Sequence, residues 1–262
     1  MILKKTTNGT RLIPGLHSVK EALVSGRTEV DELWISKGKN SARVKEILYI
    51  TEKKGIPVLF KEPNVLDDIL PGMAHQGIVA LAQEFAYTDL KHLIGRALNH
   101  SGNALLVAAD HITDEGNLGA IIRTSVFFGA HGLILPKDRS AKITQKVIKR
   151  SSGAHLHLPV ARVVNLGGAL DILNERGFWI IGSAGESTAS IYQFDWKRDL
   201  VLVLGSEDKG LSRLVKNRCH QLVGIPSAGP LGALNVSVAA GVILSEIIRQ
   251  RVGCSRTEKS NS

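Results

Sequence analysis

The chain has 262 residues, 44% of them hydrophobic, with 33 Lys and Arg against 24 Asp and Glu, a net charge of +9 and a pI near 9.6. This is enough to bury one large core or two modest ones, and the basic excess favours a polyanionic partner through phosphate neutralisation and counterion release. Two cysteines, Cys219 and Cys254, exclude a disulfide framework and a Cys/His metal cluster, and no apolar run approaches the roughly 20 residues of a membrane span.

The start, Met-Ile-Leu-Lys-Lys-Thr-Thr-Asn-Gly-Thr, lacks the apolar stretch of a secretory signal, so a cytoplasmic protein is expected. Residues 11–82 read as a small α/β unit. Leu16–Leu23 has helical spacing, Val30–Ile35 is a strand, Ala42–Lys54 is a helix stopped by Gly55, and Pro57–Phe60 and Gly77–Ala82 are strands. A polar stretch, 83–102, reads as a linker with a short helix at Asp89–Leu98. Residues 103–252 then alternate apolar strands with helices. The strands are Ala104–Ala109, Leu133–Leu135, Leu156–Val160, Phe178–Ile181, Leu200–Leu204 and Leu222–Ile225. The helices are Leu118–Phe128, Ile143–Arg150, Gly168–Glu175, Leu211–Arg218 and Asn235–Arg251. This pattern predicts an α/β fold with a mostly parallel sheet covered on both faces. The polar end, 253–262, is expected to fray.

Parallel sheets place ligand sites at the carboxyl ends of their strands. Four such loops carry conspicuous chemistry: Asp110–Asn117, Gly182–Glu186, Gly205–Gly210 and Pro226–Ala233. In the first, Asn117 is suited to cap the helix at Leu118, whose amino end could face a phosphate, and Arg123 sits in an otherwise apolar helix. A capped helix with a solvated Arg123 explains the same residues. The third loop has Gly205 and Gly210 but lacks the Lys and Ser or Thr of a phosphate-binding loop, and Glu207 and Asp208 would repel a triphosphate. A ligand bearing hydroxyls or positive charge, such as the ribose or sulfonium of a methyl donor, suits it better. In the fourth, a Gly- and Pro-rich run leads into a helix begun by Asn235 and Ser237. Small residues at Ala239, Ala240 and Gly241 there permit close approach of a backbone or a purine.

Taken together, Asn117-Leu-Gly-Ala-Ile-Ile-Arg123, Leu204-Gly-Ser-Glu207 with Gly210, and Leu234-Asn-Val-Ser237 resemble the three signature motifs of the SpoU/TrmH RNA methyltransferases of the SPOUT superfamily. The resemblance covers about 104–251. It extends forward through Gly15-Leu-His-Ser-Val-Lys-Glu-Ala-Leu23 and His75-Gln-Gly-Ile-Val-Ala80, which look like the RNA-binding domain of the RlmB-type branch. It implies a trefoil-knotted carboxy-terminal domain, a homodimer with the last helix in its interface, and S-adenosylmethionine held by backbone near Ala184, Gly205, Ile225 and Leu234. It further implies transfer of a methyl group to a ribose 2′-hydroxyl, of a guanosine of large-subunit (23S) rRNA in that branch, without a metal. Arg123 would help activate the hydroxyl with an RNA phosphate, while Asn117, Glu207 and Asn235 would organise loops and substrate. Two positions depart from the pattern. Ala233 stands where many relatives have Ser, and Asp208 replaces a frequent Gly.

Lys137–Arg150 contains six basic residues and one acid. On a helix, Lys142, Lys146, Lys149 and Arg150 share a face able to track phosphates, although a solvated face gives the same pattern. His75 and Gln76 are further candidate RNA contacts. Aromatic residues are only 5% of the chain, which favours recognition by shape and backbone over base stacking. Two alternatives stay open: methylation of tRNA, and a catalytically silent RNA-binding or ribosome-assembly factor.

Overall fold

The computed structural model describes residues 10–25, 28–83, 85–230 and 232–257. The segment 1–9, where no secretory signal is read, and the last five residues of the expected tail lie outside these. The chain forms two compact units, Met1–Ala86 with Ile143–His157, and Tyr87–Lys142 with Leu158–Ser262.

The first unit holds β1 (Thr10–Pro14), α1 (Leu16–Ser25), β2 (Val30–Ser36), α2 (Ala42–Lys54), β3 (Val58–Lys61), α3 (Pro63–Ile69) and β4 (Ile78–Gln83). Its sheet runs β1-β4-β2-β3, antiparallel except for the β2–β3 pair. β4 lies inside, and Ile78, Val79, Ala80 and Ala82 are all fully buried because both of its faces are covered. Leu66 and Leu70 pack with Leu12 and Val79 on one face. α2 has the ends its sequence specifies: Ser41 accepts the Val44 N–H, and Gly55 takes the left-handed φ of +64° that closes the last turn. β1 and α3 were not expected from the sequence.

The second unit begins with α4 (Leu90–Leu98), capped by Asp89, then β5 (Leu105–Ala109), α5 (Glu115–Phe127) and β6 (Gly132–Pro136). Next comes α6 (Gln145–Ser151), followed by a short 3-10 turn at Ala154–Leu156. This segment was expected within the second domain, yet α6 packs on β1 and the turn on α1, as parts of the first unit. The strand expected at Leu156–Val160 is displaced. Leu156 closes the 3-10 turn, Pro159 has no N–H for a ladder, and the strand β7 is Val160–Val163. The second unit continues through α7 (Leu166–Glu175), β8 (Trp179–Ser183), β9 (Leu200–Leu204), α8 (Arg213–Lys216), β10 (Gln221–Val223) and α9 (Val236–Thr257). α9 extends six residues past the expected Arg251, into the segment read as frayed.

The six strands are all parallel, in the order β10-β8-β9-β5-β6-β7. Leu106, Ala108, Ile134, Val201 and Val203 point to one face, under Leu93 of α4 and Leu170 and Leu173 of α7. Alternate residues point to the other face, where α5 packs along α9. Burial of each large aliphatic side chain here contributes about 1.5–3 kcal/mol. β5 and β9 are buried along their full length, which explains their unbroken apolar runs. With every strand parallel, the loops after β5, β6, β8, β9 and β10 emerge at one edge of the sheet.

Candidate active site

The loop after β5 starts with Asp110, which is 1% exposed. Its Oδ2 accepts the backbone N–H of Ser212 at 2.7 Å, and its Oδ1 pairs with His111 Nδ1 at 2.6 Å. One buried carboxylate thereby ties the loop after β5 to the loop after β9. α5 begins earlier than expected. Its cap is Asp114, which accepts the Asn117 N–H at 2.7 Å, so Asn117 lies in the first turn and its side chain is free for other work. With Asp114 and Glu115 already at this amino end, the helix terminus is furnished with its own carboxylates and disfavours the phosphate expected there.

The loop after β9 is a tight turn. Ser206 N–H donates to Gly210 O at 3.1 Å, and Gly210 N–H returns to Ser206 O at 2.9 Å. Gly210 has φ +62°, and a Cβ on Gly205 would lie 2.2 Å from the Gly210 carbonyl carbon, so the turn requires glycine at both ends. This turn presents Glu207. Its Oε1 accepts Asn117 Nδ2 at 3.0 Å and also Asn235 Nδ2, while Asn235 Nδ2 reaches Asn117 Oδ1 at 3.0 Å. Asn235 in turn caps α9, its Oδ1 accepting the Ser237 N–H at 2.9 Å and the Ser237 hydroxyl at 2.6 Å. Three residues spread over 119 positions thus form one exposed polar knot. Arg123 stands on the exposed side of α5, about 9 Å along its axis beyond Asn117.

Beside this trio is a cavity of about 650 Å³ formed by the loops after β8, β9 and β10. Ala184, Gly205, Ile225 and Leu234 all line it. So do Ser183, Glu186, Ser206, Val236 and Ala239. Of the three small residues read as a close-approach surface, Ala239 faces the cavity and Ala240 is buried. Four lining side chains are charged: Glu186, Glu207, Asp208 and Lys209. Lys216 holds the Glu186 carboxyl below its ordinary range through a hydrogen bond. The walls are therefore apolar with a net acidic rim, which suits a cationic, uncharged-base ligand and opposes a phosphate chain. Among the described residues no group of three or more His, Cys, Asp and Glu could hold a metal ion, and no helix is long and apolar enough to cross a membrane.

The candidate RNA contacts are dispersed. His75 is 8% exposed, with Nε2 on Asp67 at 2.8 Å and Nδ1 accepting the Gly77 N–H, so its ring is engaged inside the first unit. Gln76 is exposed at φ +56°, and its Oε1 accepts the Leu16 N–H at the start of α1. Lys142 precedes the Thr144 cap of α6 and is not on the helix, contrary to the expected stripe. Lys146 and Arg150 are exposed and Lys149 is half-buried on α6, while Val147 and Ile148 are buried.

Comparison with known proteins is consistent with this geometry. Residues 104–245 match the SpoU rRNA methylase family model, and residues 12–88 match the RNA 2′-O ribose methyltransferase substrate-binding model. The chain is 39% identical to the 23S rRNA (guanosine-2′-O-)-methyltransferase RlmB of Haemophilus influenzae, covering 92% of this chain and 98% of that one. It is 36% identical to the putative TrmH family tRNA/rRNA methyltransferase YacO of Bacillus subtilis, covering 90% and 94%. The crystal structure of the SpoU methyltransferase AviRb from Streptomyces viridochromogenes with AdoMet superimposes with a TM-score of 0.80 at 28% identity, over 95% of this chain and 93% of that one. The chain belongs to the SpoU rRNA methylase family.

Proposed function

We propose that this protein methylates the ribose 2′-hydroxyl of a guanosine in large-subunit (23S) rRNA, using S-adenosylmethionine. The observation that carries the reading is the Asn117–Glu207–Asn235 trio standing beside the acid-rimmed cavity. The cavity fits the cofactor chemically. Ile225, Leu234, Val236 and Ala239 offer an apolar bed for an adenine ring, and Glu186, Glu207 and Asp208 complement the sulfonium and ammonium charges. Bound there, S-adenosylmethionine supplies an electrophilic methyl group.

The remaining work falls to this chain's own residues. Glu207 fixes the amides of Asn117 and Asn235, which leaves those loops preorganised around the substrate ribose. Arg123 anchors the adjoining phosphate by its planar fork and holds the hydroxyl in line; a guanidinium is a donor without an acceptor, so orientation rather than simple proton abstraction is its role. In the first unit, Gln76 contacts RNA with His75 buttressing its turn, and Lys146, Lys149 and Arg150 meet phosphates, as does Lys142 in the second unit. The same reading carries a trefoil knot, a cytoplasmic site of action and a homodimer. Exposed Phe127, Val238 and Val252 on α5 and α9 supply apolar surface for the dimer.

The test is transfer of labelled methyl from S-adenosylmethionine to separate large-subunit rRNA and tRNA transcripts, followed by mapping of 2′-O-methylation. A single labelled guanosine in rRNA is the expected result. Labelling of tRNA keeps the chemistry and changes the substrate. Failure to bind the cofactor leaves a silent RNA-binding factor.

A further inference from the structure

The cofactor cavity lies at the ends of β8, β9 and β10, and its charged lining is predominantly acidic. A polyanion is repelled from that side. Along the sheet edge in the other direction, β9 is followed by β5, which leads to Asn117, and then by β6. The loop after β6 carries Lys137, Arg139 and Lys142, all exposed, against the single acid Asp138. Among the described residues none of these three cations is held in an ion pair.

This loop is fixed rather than slack. Its Lys137 N–H donates to Val163 O at 2.8 Å, the Arg162 guanidinium donates to Lys137 O, and its Ala141 N–H donates to Ile112 O at 2.9 Å. The last bond joins it directly to the loop that leads to Asn117. Arg139 has φ +51°, a left-handed backbone that a side chain adopts at a cost, and His111 in the adjoining loop has φ +58°. The two main-chain ties and the Arg162 side-chain bond outweigh that strain and present Arg139 outward.

We infer that the Lys137–Lys142 loop is a phosphate track within the catalytic unit. On this inference, which rests on the proposed function, the RNA backbone approaches the Asn117–Glu207–Asn235 trio from the β6 side, and Lys137, Arg139 and Lys142 neutralise its phosphates. The loop positions the substrate and takes no part in the chemistry.

The experiment compares the full-length protein with Lys137→Gln/Arg139→Gln, and with Arg176→Gln as a control that removes one positive charge at the amino ends of the strands. RNA affinity for a large-subunit rRNA fragment is measured by fluorescence anisotropy across salt concentrations, alongside methyl transfer, S-adenosylmethionine affinity and thermal melting. The double variant should weaken RNA binding about tenfold or more and lower the log–log salt slope by about two. Its cofactor affinity, its melting temperature and its rate at saturating RNA should match wild type. Wild-type RNA affinity and slope in the double variant would overturn the track, as would an equal loss in the Arg176→Gln control. If wild type binds the fragment and the double variant does not, yet wild type transfers no methyl to any RNA, the track stands and the proposed activity fails.

Discussion

Asp110 and Ser212 lie 102 residues apart in the chain and are joined at 2.7 Å, the buried Oδ2 of one accepting the backbone N–H of the other. This bond fixes the turn that bears Glu207 to the strand that leads to Asn117. Asp110→Asn keeps the shape but must turn an amide NH₂ toward either Ser212 or His111, and so loses an acceptor. The expected cost is about 1–3 kcal/mol of stability, read as a lower urea midpoint. Calorimetry should show severalfold weaker S-adenosylmethionine binding, because the turn lines the cavity. Unchanged values for both would mean that the bond does not position the loop.

Asn235 has two duties that one substitution separates. Its Oδ1 caps α9 through Ser237, and its Nδ2 binds Asn117 and Glu207. Asn235→Asp preserves the cap acceptor but sets a second carboxylate against Glu207. The variant should therefore melt below wild type at pH 8 and recover toward it as pH falls and one carboxyl of the pair takes up a proton. Asn235→Ala removes the cap as well, at about 1 kcal/mol, with no such pH dependence. Both should lose methyl transfer. Identical pH profiles for the two variants would show that the contact with Glu207 is not electrostatic.

Arg123 offers a sharper test of chemistry because it is exposed on α5. Arg123→Ala should fold and bind cofactor as wild type does. A lost charged hydrogen-bond pair of about 1.5–3 kcal/mol lowers kcat/KM roughly 10- to 150-fold. Arg123→Lys restores charge but not the two-pronged geometry, so it should recover only part of the loss. Full activity in Arg123→Ala would remove this residue from the mechanism.

How far the sequence could be read follows from physics that is local or not. β5 and β9 are buried on both faces, so their apolar runs match the strands closely. α2 carries its own stop at Gly55. β1, five residues long, and α3, seven, are too short to show a period. Asp114 and Asn117 are both good caps three residues apart, and only the extended backbone of Asp114 (φ −75°, ψ 122°) decides between them. The departure of Ile143–His157 to the first unit has no local signal, since Val147 and Ile148 would be buried against either sheet. The rule for parallel sheets found the loops of the site. Nothing in their spacing predicts that Glu207 binds two asparagines 118 residues apart, and that grouping came from family resemblance.

His155 makes acid stability a test of the first unit's packing. Its side chain is 1% exposed, with Nδ1 near the Ser151 hydroxyl at 3.2 Å. Burial first, then the charge of Arg11 and that of His157, lower its pKa from 6.5 to about 3. The folded state therefore holds a neutral imidazole where the unfolded chain takes up a proton. The stability this group contributes is fully present above pH 6.5 and is lost as pH falls toward 3, with a limiting slope of about 1.4 kcal/mol per pH unit. His155→Phe fills similar volume and leaves Ser151 bonded to Ile148 O, so it should flatten that limb. Urea midpoints for both proteins at intervals from pH 7.5 to 4.5 measure the difference. Parallel curves would mean that the imidazole opens to water on protonation at little cost, and that the first unit yields there before the rest.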